Sequence, residues 1–271
     1  MVARLLLAAL VPQVLSLDNG VALTPPRGFS TWVRVHRCCC SRRRRCRRCC
    51  CSILTASGLW LPQNAFPVHS IDEATCYKYL DALVKHGLHK LNYTYFVVDE
   101  PCFAGRTADG TLIENKTTWP NGLKKFGEAL RSHGMKLGTY TCVGPKTCGG
   151  CIASEGHEDQ DVATFAEWGV EYLKVDSCSR NCTAAAGVPN ATQCGETLWS
   201  RYTTAIAKHK TVANEQMVYS IVCNCDPGRG DQPWKWAKDI ANSWRTNIDI
   251  QNGFGAISYV LDAQRRMSGN G

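Results

Sequence analysis

From residue 71 onward, stretches with apolar residues at helical spacing alternate with short, nearly continuous apolar runs. Residues 71–86 place Ala74, Tyr77, Leu80, Leu83 and Val84 on one helical face, with Gly87 positioned as a stop. Residues 93–98 then read as a strand that runs into Asp99 and Glu100. The same cycle returns as a helix over 122–133 (Leu123, Phe126, Leu130), stopped by Gly134, and a strand over 136–141. A third helix over 157–168 is stopped by Gly169 and leads into Tyr172-Leu173-Lys174-Val175-Asp176. A helix over 197–208 precedes a strand over 217–222, and helices are expected over 234–243 and 257–267.

Helix, glycine, strand and a polar strand end is the pattern of parallel βα units, so the chain is expected to be α/β. In a (β/α)8 TIM barrel the residues just past the strands form the active site. Here those positions are Asp99, Tyr140, Asp176 and Cys223, with Asp249 a further candidate. Two carboxylates at such positions point to paired-carboxylate chemistry. Each has a plainer reading: Asp99 or Asp176 as a turn or cap residue, Lys174 as a solvated side chain, and Arg245 with Asp249 as a surface ion pair. A doubly wound sheet is disfavoured, because no Gly-x-Gly-x-x-Gly loop follows a strand.

Composition changes this picture at two places. The formal charge of +8 is local: eight arginines lie between positions 33 and 63 with no acidic residue among them, and the remaining 23 basic residues balance 23 acidic ones. A nucleic-acid-binding role would rest on this segment alone, and the secretory pattern described below argues against it. The same interval holds Cys38-Cys39-Cys40 and Cys49-Cys50-Cys51, unlike anything around it. It reads as a retained intron: valine codons begin with GT, glutamine can be encoded by CAG, and removing it joins Trp32 to Asn64. Sequencing the mature transcript across this junction tests the reading. At the other place, Arg4, the apolar run 5–11 and Ser16 form a signal-peptide pattern over residues 1–16. Four Asn-x-Thr sequons (Asn92, Asn115, Asn181, Asn190) and 17 cysteines agree with a secretory route, so a secreted or lysosomal/vacuolar location is expected. No segment is apolar enough for a membrane span.

Several motifs, in order, resemble the α-galactosidase and α-N-acetylgalactosaminidase group, glycoside hydrolase family 27. They are Thr24-Pro25-Pro26-Arg27-Gly28-Phe29-Ser30-Thr31-Trp32, residues 93–100, Leu137-Gly138-Thr139-Tyr140 with Lys146-Thr147-Cys148-Gly149-Gly150, residues 172–178, and Asn242-Ser243-Trp244-Arg245 through Asp249. The resemblance implies a barrel spanning 17–271, interrupted by 33–63, and a retaining mechanism on terminal α-linked galactose. Asp176 would be the nucleophile and Asp249 the acid/base. Lys174, two residues before Asp176 on the same strand face, would keep Asp176 ionised. Asp99, Glu100 and Arg245 would bind sugar hydroxyls, and Trp32 and Tyr140 would wall the sugar. Cys148 and Cys178 look like a disulfide between strand-end loops; zinc spacings such as Cys148-x-x-Cys151 are less favoured in a secreted chain. No metal and no cofactor are needed.

Two departures stand out. Cys142 occupies a position where the family commonly carries an acid, and Cys223-Asn224-Cys225-Asp226-Pro227 replaces a Cys-Glu-Trp stretch. A different sugar, or a non-catalytic carbohydrate-binding role, therefore stays open. The pattern accounts for about six of eight barrel strands, without the last strands or the family's C-terminal β-sandwich. The chain as written is expected to be unstable and inactive. The oligomeric state is not legible.

Overall fold

A computed structural model describes residues 19–31, 71–180, 182, 191–223, 232–247, 249 and 254–267. Segment 33–63, the signal-like residues 1–16 and Trp32 lie outside the described residues. The main sheet has six parallel strands: β1 (Gly28–Ser30), β2 (Tyr95–Val97), β5 (Lys136–Cys142), β6 (Val170–Asp176), β7 (Val218–Ile221) and β8 (Ser243–Trp244). Their spatial order follows the chain, β1-β2-β5-β6-β7-β8, the order of successive staves in a parallel barrel. A small antiparallel pair, β3 (Gly105–Arg106) and β4 (Leu112–Ile113), stands apart. The helices are α1 (Glu73–Lys85), α2 (Leu123–Ser132), α3 (Glu158–Glu167), α4 (Ala191–Lys208) and α5 (Phe254–Met267).

Local chemistry explains the boundaries. Asp72 caps α1, its Oδ1 accepting the Thr75 N–H at 2.7 Å. Gly169 ends the α3 unit with φ +81°, a conformation that suits glycine, and β6 starts at the next residue. Strand side chains alternate between two faces. Phe96, Leu137, Leu173, Val175 and Ile221 face the helices and join one apolar core with Leu123, Phe126 and Leu130 of α2, Val162 and Phe165 of α3, and Leu198, Trp199 and Tyr202 of α4. Burying each large apolar side chain contributes about 1.5–3 kcal/mol. Phe126 anchors the α2 contact through rings of Phe96, Tyr77 and Trp119, with centroids 5.1, 5.2 and 5.9 Å away.

The opposite face carries Tyr95, Gly138, Tyr140, Cys142, Tyr172, Lys174 and Asp176. Gly138 matters there: a Cβ would meet Val97 Cγ2 at 2.8 Å and Tyr172 Cβ at 3.2 Å. Its bare backbone lets the Tyr95 and Tyr172 rings, from strands on either side of β5, approach to 5.6 Å.

Two expectations need correction. The helix expected over 234–243 is two 3-10 turns, Pro233–Lys235 and Ala237–Asp239, separated by Trp236 at φ −133°. Pro233 lacks an amide to continue a helix, and Ser243 is drawn into the sheet beside Ser220. Helix α4 begins at Ala191, well before residue 197. Among the described residues, no helix is long and apolar enough to cross a membrane.

Candidate active site

The polar residues gather where the parallel strands end. Asp99 follows β2, and its backbone N–H donates to Thr31 Oγ1 at 2.8 Å, which ties it to the end of β1. The Asp99 side chain is buried. Oδ2 accepts from Lys174 Nζ at 2.6 Å, while Oδ1 has no hydrogen-bond partner among the described residues. Lys174 reaches this carboxylate from β6, across the intervening β5, with Nζ 4.9 Å from the centre of the Tyr140 ring. Two residues on, Asp176 is buried at the strand end. Its Oδ2 accepts from the Tyr140 hydroxyl at 3.2 Å, and its Oδ1 from the Ser177 N–H at 2.7 Å.

Glu100 sits at φ +52°, a left-handed conformation rare for a residue with a side chain. Its Oε1 accepts the Gly149 N–H at 2.7 Å, linking the loops after β2 and β5. Cys148 and Cys178 form a disulfide, and a second joins Cys102 to Cys151. The half-motif Cys148-x-x-Cys151 is thus divided between two cross-links, and Cys182 pairs with Cys194, so these cysteines are not zinc ligands in this structure. Arg245 follows β8. Its Nη2 donates to the Cys223 carbonyl at 2.8 Å and its Nη1 is hydrogen-bonded to Asp249. The Asp249 side chain is 40% exposed.

Electrostatics ties the separate elements together. Burial disfavours the Lys174 cation, but Asp99, Asp176 and Asp249 more than offset this and hold its pKa above the ordinary lysine value. Burial raises the Asp99 pKa, an effect only partly countered by Lys174. The Tyr140 hydroxyl is raised by burial and then by the Asp176 charge, so it is a neutral hydrogen-bond donor. The Cys142 thiol is pushed up to about 12, first by burial and then by Asp176.

Of the site residues read from the sequence, Asp99, Lys174, Tyr140 and Asp176 form one chain of contacts, Asp99 to Lys174, Lys174 to the Tyr140 ring, and the Tyr140 hydroxyl to Asp176. Glu100 flanks them through Gly149. Arg245 and Asp249 form their own pair, reaching the others through the field on Lys174. Trp32 lies outside the described residues. Thr31, Ser177 and the thiol of Cys142 belong to the contact network as well. Ser177 adjoins Asp176 in sequence, but Thr31 becomes relevant only through pairing of β1 with β2, which no local signal reveals.

Parallel strands in barrel order, with acidic and aromatic side chains converging at their C-terminal ends, define the class as a barrel-type α/β protein with its site at the strand ends. The family model described as alpha galactosidase A matches residues 63–268, and the chain belongs to that α-galactosidase family, glycoside hydrolase family 27. The α-galactosidase of Coffea arabica is 31% identical over 89% of this chain and 51% of its own length. Alpha-galactosidase 2 of Arabidopsis thaliana is 30% identical over 92% of this chain and 51% of its own. Among solved structures, α-galactosidase I of Mortierella vinacea superposes with a TM-score of 0.67 at 28% identity, covering 88% of this chain and 49% of that one. An α-galactosidase of Saccharomyces cerevisiae, solved with raffinose, gives 0.66 at 25% identity, over 87% and 42%. The chain spans about half the length of the curated relatives it matches.

Proposed function

We propose that this chain carries the site of a retaining glycoside hydrolase acting on terminal α-linked galactose. The observation that carries the reading is Lys174, a cation hydrogen-bonded to Asp99 and held charged by Asp99, Asp176 and Asp249 together. A retaining glycosidase needs one ionised carboxylate to attack the anomeric carbon and a second to protonate the leaving oxygen. Asp176 suits the first role: it is buried, held by Tyr140 and Ser177, and flanked by a permanent cation. Asp249 takes the second, moving between acid and base across the two half-reactions. Asp99 Oδ1, buried and facing no donor of the described protein, is suited to accept a sugar hydroxyl. Tyr140 supplies an apolar wall and Glu100 and Arg245 a polar rim. The resemblance implies that Trp32 also contributes an apolar wall. The raffinose found in the yeast relative is an α-galactoside, which supports the substrate class.

The test is hydrolysis of an aryl α-galactoside by the full chain, with galactose binding followed by calorimetry. Asp176→Asn is expected to lower turnover by on the order of 10^4-fold while retaining binding. Absence of galactose binding in the unmodified chain refutes the reading, while turnover by it overturns the expectation that the chain as written is inactive. A second reading, carbohydrate binding without turnover, is favoured by the engagement of Asp249 with Arg245. Binding that persists in Asp176→Asn, with no turnover in either protein, selects it.

The domain reading is that residues 1–16 are a signal peptide, and that 33–63 interrupts a catalytic domain over 17–271. The family match begins at residue 63, where the Arg/Cys-rich segment ends, which supports a break at that point. Three disulfides among the described residues support passage through an oxidising compartment, secreted or lysosomal/vacuolar.

A further inference from the structure

Three sulfur atoms meet beside Tyr140 at the strand ends, one buried, one part-buried and one exposed. Cys148 and Cys178 are joined, and Cys142 is a free thiol with no exposed surface. All three Sγ atoms lie within 4.8 Å of one another. The Tyr140 hydroxyl spans two of them, 3.2 Å from Cys142 Sγ and 3.3 Å from Cys148 Sγ. A cysteine in the core of a protein is ordinarily an inert small hydrophobe. This one adjoins a disulfide, with a hydroxyl touching both its own sulfur and one sulfur of the bond.

We propose that the cluster is an internal thiol–disulfide exchange site, through which the chain passes reversibly between a Cys148–Cys178 and a Cys142–Cys178 disulfide. Cys142 Sγ attacks Cys178 Sγ, forming the new S–S bond. The Cys148–Cys178 bond breaks, and its electron pair leaves on Cys148 Sγ. The Cys142 proton passes to the Tyr140 oxygen as the Tyr140 proton passes to Cys148. One thiol and one disulfide become one disulfide and one thiol, so no oxidant or reductant is consumed. One contact favours this direction of attack: the Tyr140 hydroxyl lies 3.3 Å from Cys148 Sγ and can turn from Asp176 Oδ2 to protonate that sulfur as it leaves. The high pKa of Cys142 leaves little free thiolate, which makes the tyrosine relay the accessible route. The exchange moves the tether on the β6 end from the loop bearing Gly149 to the end of β5. The inference is independent of whether the site hydrolyses galactosides.

Disulfide mapping of the full chain tests it. Accessible thiols are first alkylated in the native protein, which is then incubated, acid-quenched and digested without reduction. Cleavage after lysine and arginine puts Cys142 on 137–146, Cys178 on 175–180, and Cys148 with Cys151 on 147–174. The expected result is a growing species in which 137–146 is linked to 175–180, with a new free thiol at Cys148. Cys142→Ser loses that species. Tyr140→Phe forms it about a hundredfold more slowly, the lower range for positioned proton transfer. In Cys148→Ser treated with oxidised glutathione, which takes up the two electrons, Cys178 pairs with Cys142. A Cys178 linked only to Cys148 after prolonged incubation of the unmodified chain overturns the proposal, as does a Cys178 not linked to Cys142 in Cys148→Ser after treatment with oxidised glutathione. An unchanged rate in Tyr140→Phe overturns the relay.

Discussion

Replacing Lys174 with methionine is the sharpest probe of the architecture, because one side chain holds the charge balance of the strand ends. Methionine keeps the length of the stem and removes the cation. Asp99 then keeps a buried carboxylate whose Oδ2 has lost its 2.6 Å partner and whose Oδ1 had none among the described residues. The side chains of Asp99 and Lys174 are 2% and 18% exposed, so solvent screens little of this contact. Removing one member of such a pair costs about 3–5 kcal/mol, against at most about 1 kcal/mol for an exposed pair. With urea slopes of about 1–3 kcal/mol per molar, the unfolding midpoint should fall by at least about 1 M. Tryptophan fluorescence follows the transition, since Trp119 and Trp199 are fully buried. Adding Asp99→Asn to the variant removes the stranded charge and should recover most of the loss, giving a coupling well above 1 kcal/mol in a double-mutant cycle. A midpoint change in Lys174→Met no larger than that of a surface pair refutes the argument that this contact is buried and uncompensated without its cation.

Other consequences are open to direct measurement. Because the folded-state pKa of Lys174 is raised, its stabilising contribution is complete below the ordinary lysine value near ~10.4 and lost as pH rises through the higher folded value. Alkaline melts of the unmodified chain should therefore fall more steeply there than those of Lys174→Met, and parallel curves would contradict this. Gly138→Ala should destabilise by about 1–3 kcal/mol, since its Cβ meets Val97 Cγ2 at 2.8 Å; an unchanged urea midpoint would show that the inner face relaxes freely. Asp72→Ala should cost about 1 kcal/mol, and faster amide exchange confined to the first turn of α1 would locate the effect at the cap.

The strands carrying Asp99, Tyr140 and Asp176 were legible because each is a compact apolar run that stops at a polar residue after a glycine-terminated helix. Lys174 was legible by its two-residue offset from Asp176. Its contact with Asp99 was not, because the two lie 75 positions apart and meet only after β5 inserts between β2 and β6. Strand β1 offers three residues and no alternation, so its role emerges only from pairing with β2. The first turns of α4 run through Thr192, Gln193 and Gly195, which give weak helical periodicity, so the apolar pattern marks only its later turns. In the stretch after Pro233 the apolar spacing matches a helix, while proline and the pull of the sheet forbid one. The Cys148–Cys178 pairing came from the family resemblance. The partner of Cys151 depended on the path of the loop after β2 and was invisible in the spacing of cysteines.

The Cys102–Cys151 and Cys148–Cys178 bonds overlap in sequence, since Cys148 precedes Cys151. Every peptide bond from Cys102 to Cys178 is therefore bridged by at least one of them. A protease that cuts once anywhere in this interval, including the exposed turn at Pro145 and Lys146, leaves two fragments still covalently joined. Such a nick would pass unseen on a non-reducing gel and appear only after reduction. In a digestive or lysosomal setting the stretch bearing Asp99, Tyr140, Lys174 and Asp176 would thus survive damage that severs an uncrosslinked chain.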